Sequence, residues 1–261
     1  KLYMKKRFYK KLIKINFKNF KEYKKKKLFE IITNGNIVVV KNAVKKKQII
    51  KICEKINKKK MVQSKSTKMI EGIKNIYYKA SPPKLANKNS KRYIVSNRSW
   101  YFFPWNEDKT GLVDLVQPVF DHVISLNGYD PKIIKENSPK DGIIQRFHLM
   151  NYPIGSGFIS RQVDPTKIVK ITAGIYITEY GKNYDSGGFY VLNKKRKKIN
   201  IDKYIKSSDM VLFYASMPHG VDNISKRKIK SKKEAENGRW FLNCTLVSSH
   251  HVKNRITSVG Y

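Results

Sequence analysis

The chain has 261 residues, 40% apolar and 12% aromatic, which is enough for one sizeable core and favours a single domain with embellishments. Its formal charge of +37 looks like a nucleic-acid footprint. However, only nine of the 56 basic residues are arginine, and the lysines are spread along the chain among Ile, Asn and Tyr, all read from AT-rich codons. No DNA- or RNA-binding motif accompanies them, so a nucleic-acid partner is not expected, although such a charge attracts anions at low salt.

Cys53 and Cys244 fit no metal-finger or CxxC spacing and read as two reduced thiols. No run is long enough to span a membrane. The stretch Leu12 to Phe20 is broken by Lys14, Asn16, Lys18 and Asn19, so it forms no signal-peptide core. The first residue is lysine, so the start reads as trimmed, and a cytoplasmic location is expected.

Residues 1–30 form a basic, aromatic-punctuated segment that reads as a helix with a loose beginning. Asn36 to Val40 is a short β-branched run, and Ala43 to Lys58 places Ile49, Ile50, Ile52, Cys53 and Ile56 at helical spacing. Residues 59–98 are Lys/Ser/Asn-rich around Pro82-Pro83 and read as a long lid loop. Trp100, Tyr101, Phe102, Phe103 and Trp105 follow as an aromatic cluster: buried core in the simpler reading, a substrate-facing wall led by Trp100 and Trp105 in the sharper one. Residues 111–129 repeat apolar side chains at helical spacing, with Asp114 and Asp121 on the solvated face.

From Ile143 the texture changes to short strands with turn signals. The runs are Ile143–Tyr152, Ile168–Thr178, Gly188–Leu192, Met210–Tyr214 and Trp240–Val247, a spacing that suggests a sandwich or jelly roll. Lysine-dense insertions at 194–206 and 226–236 read as surface loops, His250-His251 as exposed, and 253–261 as an irregular tail. The expected division is a helical and mixed support segment at 1–139 with its lid at 59–98, a core at 140–248, and a C-terminal tail at 249–261.

Within that core one set of residues carries chemistry. Side chains two apart on a strand share a face, so Gln162 and Asp164 project together, and His219 can return to them across a folded sheet. Two imidazoles and a carboxylate on one face of an octahedral ion leave three positions for a chelating co-substrate and dioxygen. Arg239, at the start of a later strand, offers a fork suited to a far carboxylate.

The set resembles the Fe(II)/2-oxoglutarate-dependent dioxygenases, nearest to their phytanoyl-CoA and prolyl-hydroxylase-like branches. The resemblance runs over about residues 28–248. It is carried by Asn151, Tyr152 and Gly155, by Asp164, by Gly187-Gly188, by the strand Asp209–Phe213, by His219-Gly220-Val221, and by Gly238-Arg239-Trp240. The run FEIITNGNIVVVKNAVKKKQIIKICEKI also looks like that family's entry strand and helix.

The resemblance implies a double-stranded β-helix, cupin-like and mainly β with N-terminal helices. It implies Fe(II) held by Asp164 and His219, and 2-oxoglutarate held by Arg239 with Tyr152 or His148 lining its pocket. The implied activity is hydroxylation of a small or carrier-linked substrate. There are three departures: Gln162 stands where the family has its first histidine ligand, Ser208 stands where a glycine is usual, and the gap from His219 to Arg239 is long. A catalytically degenerate jelly roll binding an anionic glycan or polymer is the alternative class.

Overall fold

The structure, a computed structural model, describes residues 7–59, 62–74, 76–81, 93–228, 231, 237–253, 255 and 258–261. Its first half runs β1 (Leu12–Asn16), α1 (Phe17–Glu22), α2 (Lys25–Thr33), β2 (Ile37–Lys41), α3 (Lys46–Lys58), β3 (Val62–Gln63), α4 (Thr67–Glu71), β4 (Tyr77–Ser81) and β5 (Val95–Phe102). Then follow α5 (Leu112–Leu126), α6 (Pro131–Glu136), β6 (Ile143–Tyr152), β7 (Phe158–Val163), β8 (Ile171–Tyr176), β9 (Ser186–Leu192) and β10 (Lys198–Asn200). The chain closes with β11 (Met210–Tyr214), β12 (His219–Ser225), β13 (Arg239–Ser248) and β14 (Val259–Gly260).

The strands form a jelly roll. Its larger sheet has the order β1-β2-β11-β8-β13-β6-β5, with β4 and β3 beyond β5, and its smaller sheet is β7-β12-β9-β10. Strand β5 serves both: Val95 and Ser96 pair with β7, while Arg98 to Phe102 pair with β6.

The two-residue period of the strands sorts side chains into two cores. On one face of the larger sheet, Trp240, Leu242, Cys244 and Leu246 of β13 pack with Phe147 and Leu149 of β6 against Val116, Val119, Phe120 and Val123 of α5. On the other face, Tyr152, Tyr176, Val211 and Phe213 meet Phe189, Val191 and Val221 from the smaller sheet and fill the barrel. Both cysteines are buried, unbridged thiols, and burial raises their pKa values. Among the described residues, no helix is long and apolar enough to cross a membrane.

Four expectations need correction. Residues 1–30 are not one helix, because Leu12–Asn16 pairs in parallel with β2 before two short helices begin; β-branched Ile13 and Ile15 favour that strand. The 59–98 lid contains β3, α4, β4 and the start of β5. Ile70 and Tyr77 anchor it by burial against Phe103 and Ile144, while residues 82–92 lie outside the described ones. The 194–206 insertion docks instead of looping free, with Ile201 and Ile205 in the barrel core. The tail is also paired: Val259 and Gly260 lie along Val163 and Gln162 of β7.

Ser208, in the turn before β11, has φ +76°. Its N–H donates to Tyr176 O (2.7 Å), its carbonyl accepts from Ala43 N (2.9 Å), and its buried hydroxyl has no partner among the described residues. Ser208→Gly removes left-handed strain of about 1–3 kcal/mol and an unsatisfied hydroxyl, against about 0.4–1 kcal/mol of added unfolded-chain entropy. A net gain of about 1 kcal/mol is expected, read as a higher urea midpoint at unchanged m-value. A lower midpoint refutes it.

Candidate metal site and carboxylate cradle

Strands β7 and β12 run antiparallel with His219 opposite Gln162, and the register shifts between His219 and Val221. Asp164 follows β7 directly, its N–H donating to Ala215 O at 3.0 Å. The three side chains converge: His219 Nε2 lies 3.2 Å from Gln162 Nε2 and 3.7 Å from Asp164 Oδ2.

His219 Nδ1 is 2.9 Å from the Met217 carbonyl. That acceptor assigns the proton to Nδ1 and leaves the Nε2 lone pair facing Asp164 and Gln162. The Ser258 hydroxyl from the C-terminal tail donates to Asp164 Oδ1 at 2.5 Å. Phe213 and Phe189 flank the imidazole, with ring centroids at 5.0 and 5.9 Å.

A divalent ion fits this donor set on one observation in particular. Gln162 Oε1 is buried and has no hydrogen-bond partner among the described residues. A half-turn of the carboxamide exchanges it with Nε2, offering a hard oxygen beside the carboxylate and imidazole. Such an oxygen suits a divalent cation but binds Fe(II) less well than imidazole does.

Arg239 opens β13 opposite Tyr152 of β6 and is 1% exposed. Its Nε donates to Asp202 Oδ2 at 2.7 Å, and Nη2 reaches Asp202 Oδ1 at 3.3 Å. The Tyr176 hydroxyl donates to Oδ1 at 2.6 Å, the Tyr184 hydroxyl to Oδ2 at 2.6 Å, and Phe189 N–H to Oδ2 at 2.9 Å. The guanidinium also lies 5.5 Å from the Tyr152 ring centroid and 5.0 Å from those of Tyr176 and Phe241.

Burial works against the arginine's charge, but Asp202 outweighs it and holds the guanidinium protonated. Burial and then Asp202 push the Tyr176 and Tyr184 phenols well above 10. Asp202 takes the Nε–Nη2 edge of the Arg239 guanidinium, the side chain expected to hold the far carboxylate of 2-oxoglutarate. Phe189 joins the two clusters, with its ring at His219 and its amide at Asp202.

The remaining expected residues divide. Tyr152 is buried beside Arg239, its hydroxyl 3.4 Å from Met150 Sδ. His148 faces the barrel, stacked on Tyr101 at 4.4 Å with Nε2 2.8 Å from Ser99 Oγ. Tyr93 is pushed up to about 12 by burial and then by the Asp164 carboxylate.

Trp100 does not form a substrate wall. It is 3% exposed on the helix side of the sheet, stacked on Trp240 at 5.0 Å, because its strand position points away from the barrel. Trp105 stacks on Phe103 at 4.8 Å, beside Ile70 and Tyr77. Nor is His250 simply exposed: it lies 3.4 Å from Glu71, and its N–H donates to that carboxylate.

Sequence reasoning missed Asp202, Tyr176, Tyr184 and Ser258. Asp202 did leave a signal, as the one acid in the lysine-dense run 194–206, set between Ile201 and Ile205.

No protein-family model matches the chain, and no curated protein does. Solved structures do. A prolyl hydroxylase from Trichoplax adhaerens, in complex with a hypoxia inducible factor peptide, aligns with TM-score 0.50 at 12% identity, covering 87% of this chain and 91% of that one. A full-length Neurospora crassa protein in complex with alpha-KG and 5-formyluracil aligns at 0.49 and 12% identity, covering 92% and 85%. A Pseudomonas putida prolyl-4-hydroxylase aligns at 0.48 and 10% identity, covering 85% and 97%. What the chain shares with the first of these is the fold.

Desolvation, then Arg146 and Lys79, hold the His148 imidazole well below 6.5. The unfolded chain takes up that proton near the ordinary value of about 6.5. Below that pH the unfolded state binds more protons, so His148 makes stability fall by up to about 1.4 kcal/mol per pH unit. Urea unfolding at pH 7.5, 6.5 and 5.5 should show a shallower decline in His148→Gln; parallel curves refute the assignment.

Proposed function

We propose that the chain is a divalent-metal-binding jelly roll, with Asp164, His219 and Gln162 as ligands, and that it is degenerate as a 2-oxoglutarate oxygenase. The observation that carries this reading is the convergence of His219 Nε2 on Asp164 Oδ2 and on a carboxamide with an orphaned, buried oxygen. The Met217 carbonyl supports it by fixing the imidazole tautomer, a contact that commonly orients metal-bound histidines. The Ser258 hydroxyl orients the carboxylate by donating to Oδ1, and Phe189 and Phe213 flank the imidazole.

A divalent ion bound here would supply Lewis acidity to an oxygen-bearing ligand. Neutral Gln162 in place of neutral His leaves the site's charge unchanged and lowers affinity. The net charge of +37 favours an anionic partner, such as a glycan or other polymer, whose binding should weaken with salt.

Fe(II)- and 2-oxoglutarate-dependent hydroxylation of a small or carrier-linked substrate is the competing reading. The fold and the metal face favour it. The pairing of Arg239 with Asp202 weighs against it, since an internal carboxylate already takes the Nε–Nη2 edge of that guanidinium.

Calorimetric titration with Mn(II), a redox-stable probe, should give one weak site in the wild type and none in His219→Ala. Gln162→His should tighten it by at least about tenfold, the scale that even changes around metal ligands produce. With Fe(II) and 2-oxoglutarate the wild type should form no succinate. Steady succinate formation would restore the oxygenase reading, and silence toward Mn(II) in both wild type and Gln162→His would end the metal one.

A further inference from the structure

Five donors from four places in the barrel frame meet on the Asp202 side chain: two from Arg239 of β13, one from Tyr176 of β8, one from Tyr184 before β9, and one from the Phe189 backbone of β9. Two of them reach Oδ1 and three reach Oδ2, which saturates the acceptor capacity of a carboxylate. Both partners are out of water, at 0% side-chain exposure for Asp202 and 2% for Arg239.

A buried ion pair is an expensive way to fasten a turn, because desolvating both charges offsets most of their attraction. The turn has cheaper fastenings: Ile201 and Ile205 are buried in the barrel core, and Ile201 N–H donates to Phe189 O at 2.8 Å. The backbone has also been shaped around the carboxylate. Gly188 holds φ +99°, and a Cβ there would stand 2.4 Å from Asp202 Oδ2.

We infer that the barrel contains a carboxylate receptor, formed by Arg239, Tyr176, Tyr184 and the Phe189 amide, and that Asp202 is its captive ligand. The donors belong to the barrel strands and the β8–β9 connection, whereas the acceptor arrives on the 194–206 insertion. While Asp202 is in place the receptor excludes free carboxylates. Once that side chain is shortened, the apolar anchors keep the insertion docked, and the vacated space takes a short carboxylate from solution. The inference involves neither the metal ligands nor turnover, so it stands or falls separately from the proposed metal site.

The test is thermal unfolding in EDTA with sodium formate against sodium chloride at matched ionic strength. Wild type should show no difference. Asp202→Ala should melt well below wild type in chloride and recover by at least about 3 °C in saturating formate. Asp202→Asn, which fills the space without the charge, should not respond. Neither should Asp202→Ala combined with Arg239→Met, which removes the cation.

If Asp202→Ala does not fold in chloride, the same comparison is made on soluble yield after dilution from urea. Recovery in formate supports the receptor, and no recovery overturns it. An equal formate response in the double variant also overturns it. So does 2-oxoglutarate binding by the wild type that disappears in Arg239→Met, since that would show the receptor open with Asp202 in place.

Discussion

A guanidinium 1% exposed among aromatic side chains must be neutralised, and the interior of this jelly roll is arranged around that requirement. Asp202 supplies the counter-charge. Tyr176 and Tyr184 complete its hydrogen bonds, and the left-handed backbone at Gly188 leaves room for it. The 194–206 insertion follows from the same need: an acid carried into the core must be accompanied by apolar neighbours, here Ile201 and Ile205. Removing one member of such a pair leaves an uncompensated buried charge and costs about 3–5 kcal/mol, whereas replacing both with apolar groups is often tolerated. The pair is therefore better evidence for a carboxylate-shaped interior than for a stability device.

The sequence shows the strands and their faces well, because period-2 patterns report burial directly. Trp240, Leu242, Cys244 and Leu246 alternate with Arg239, Phe241 and Asn243, and the structure sends the first set to the helices. The approach of Gln162, Asp164 and His219 was also legible, since strand spacing alone puts the first two on one side. Trp100 misled for a related reason: an aromatic cluster announces burial but not which face, and one residue's shift along β5 separates the barrel from the helix layer.

Long-range partners were harder to read. Thirty-seven positions separate Asp202 from Arg239, and nothing in local propensity joins them. A lone acid flanked by isoleucines within a lysine-dense stretch has no use for solvent, and that contradiction was the available clue. Ser258 lay hidden because β14 is only two residues long and gains its order from pairing with β7. Ser208 gave a clearer sign. The serine that stood where the resemblance led one to expect glycine proves to sit at φ +76°.

The Asp164–His219–Gln162 cluster and the Asp202–Arg239 cluster share one neighbour. Phe189 touches both, through its ring at His219 and its amide at Asp202, so a change in one cluster has a short physical route to the other. Arg239, Tyr176 and Tyr184 together satisfy both oxygens of Asp202, so each depends on the others to remain buried.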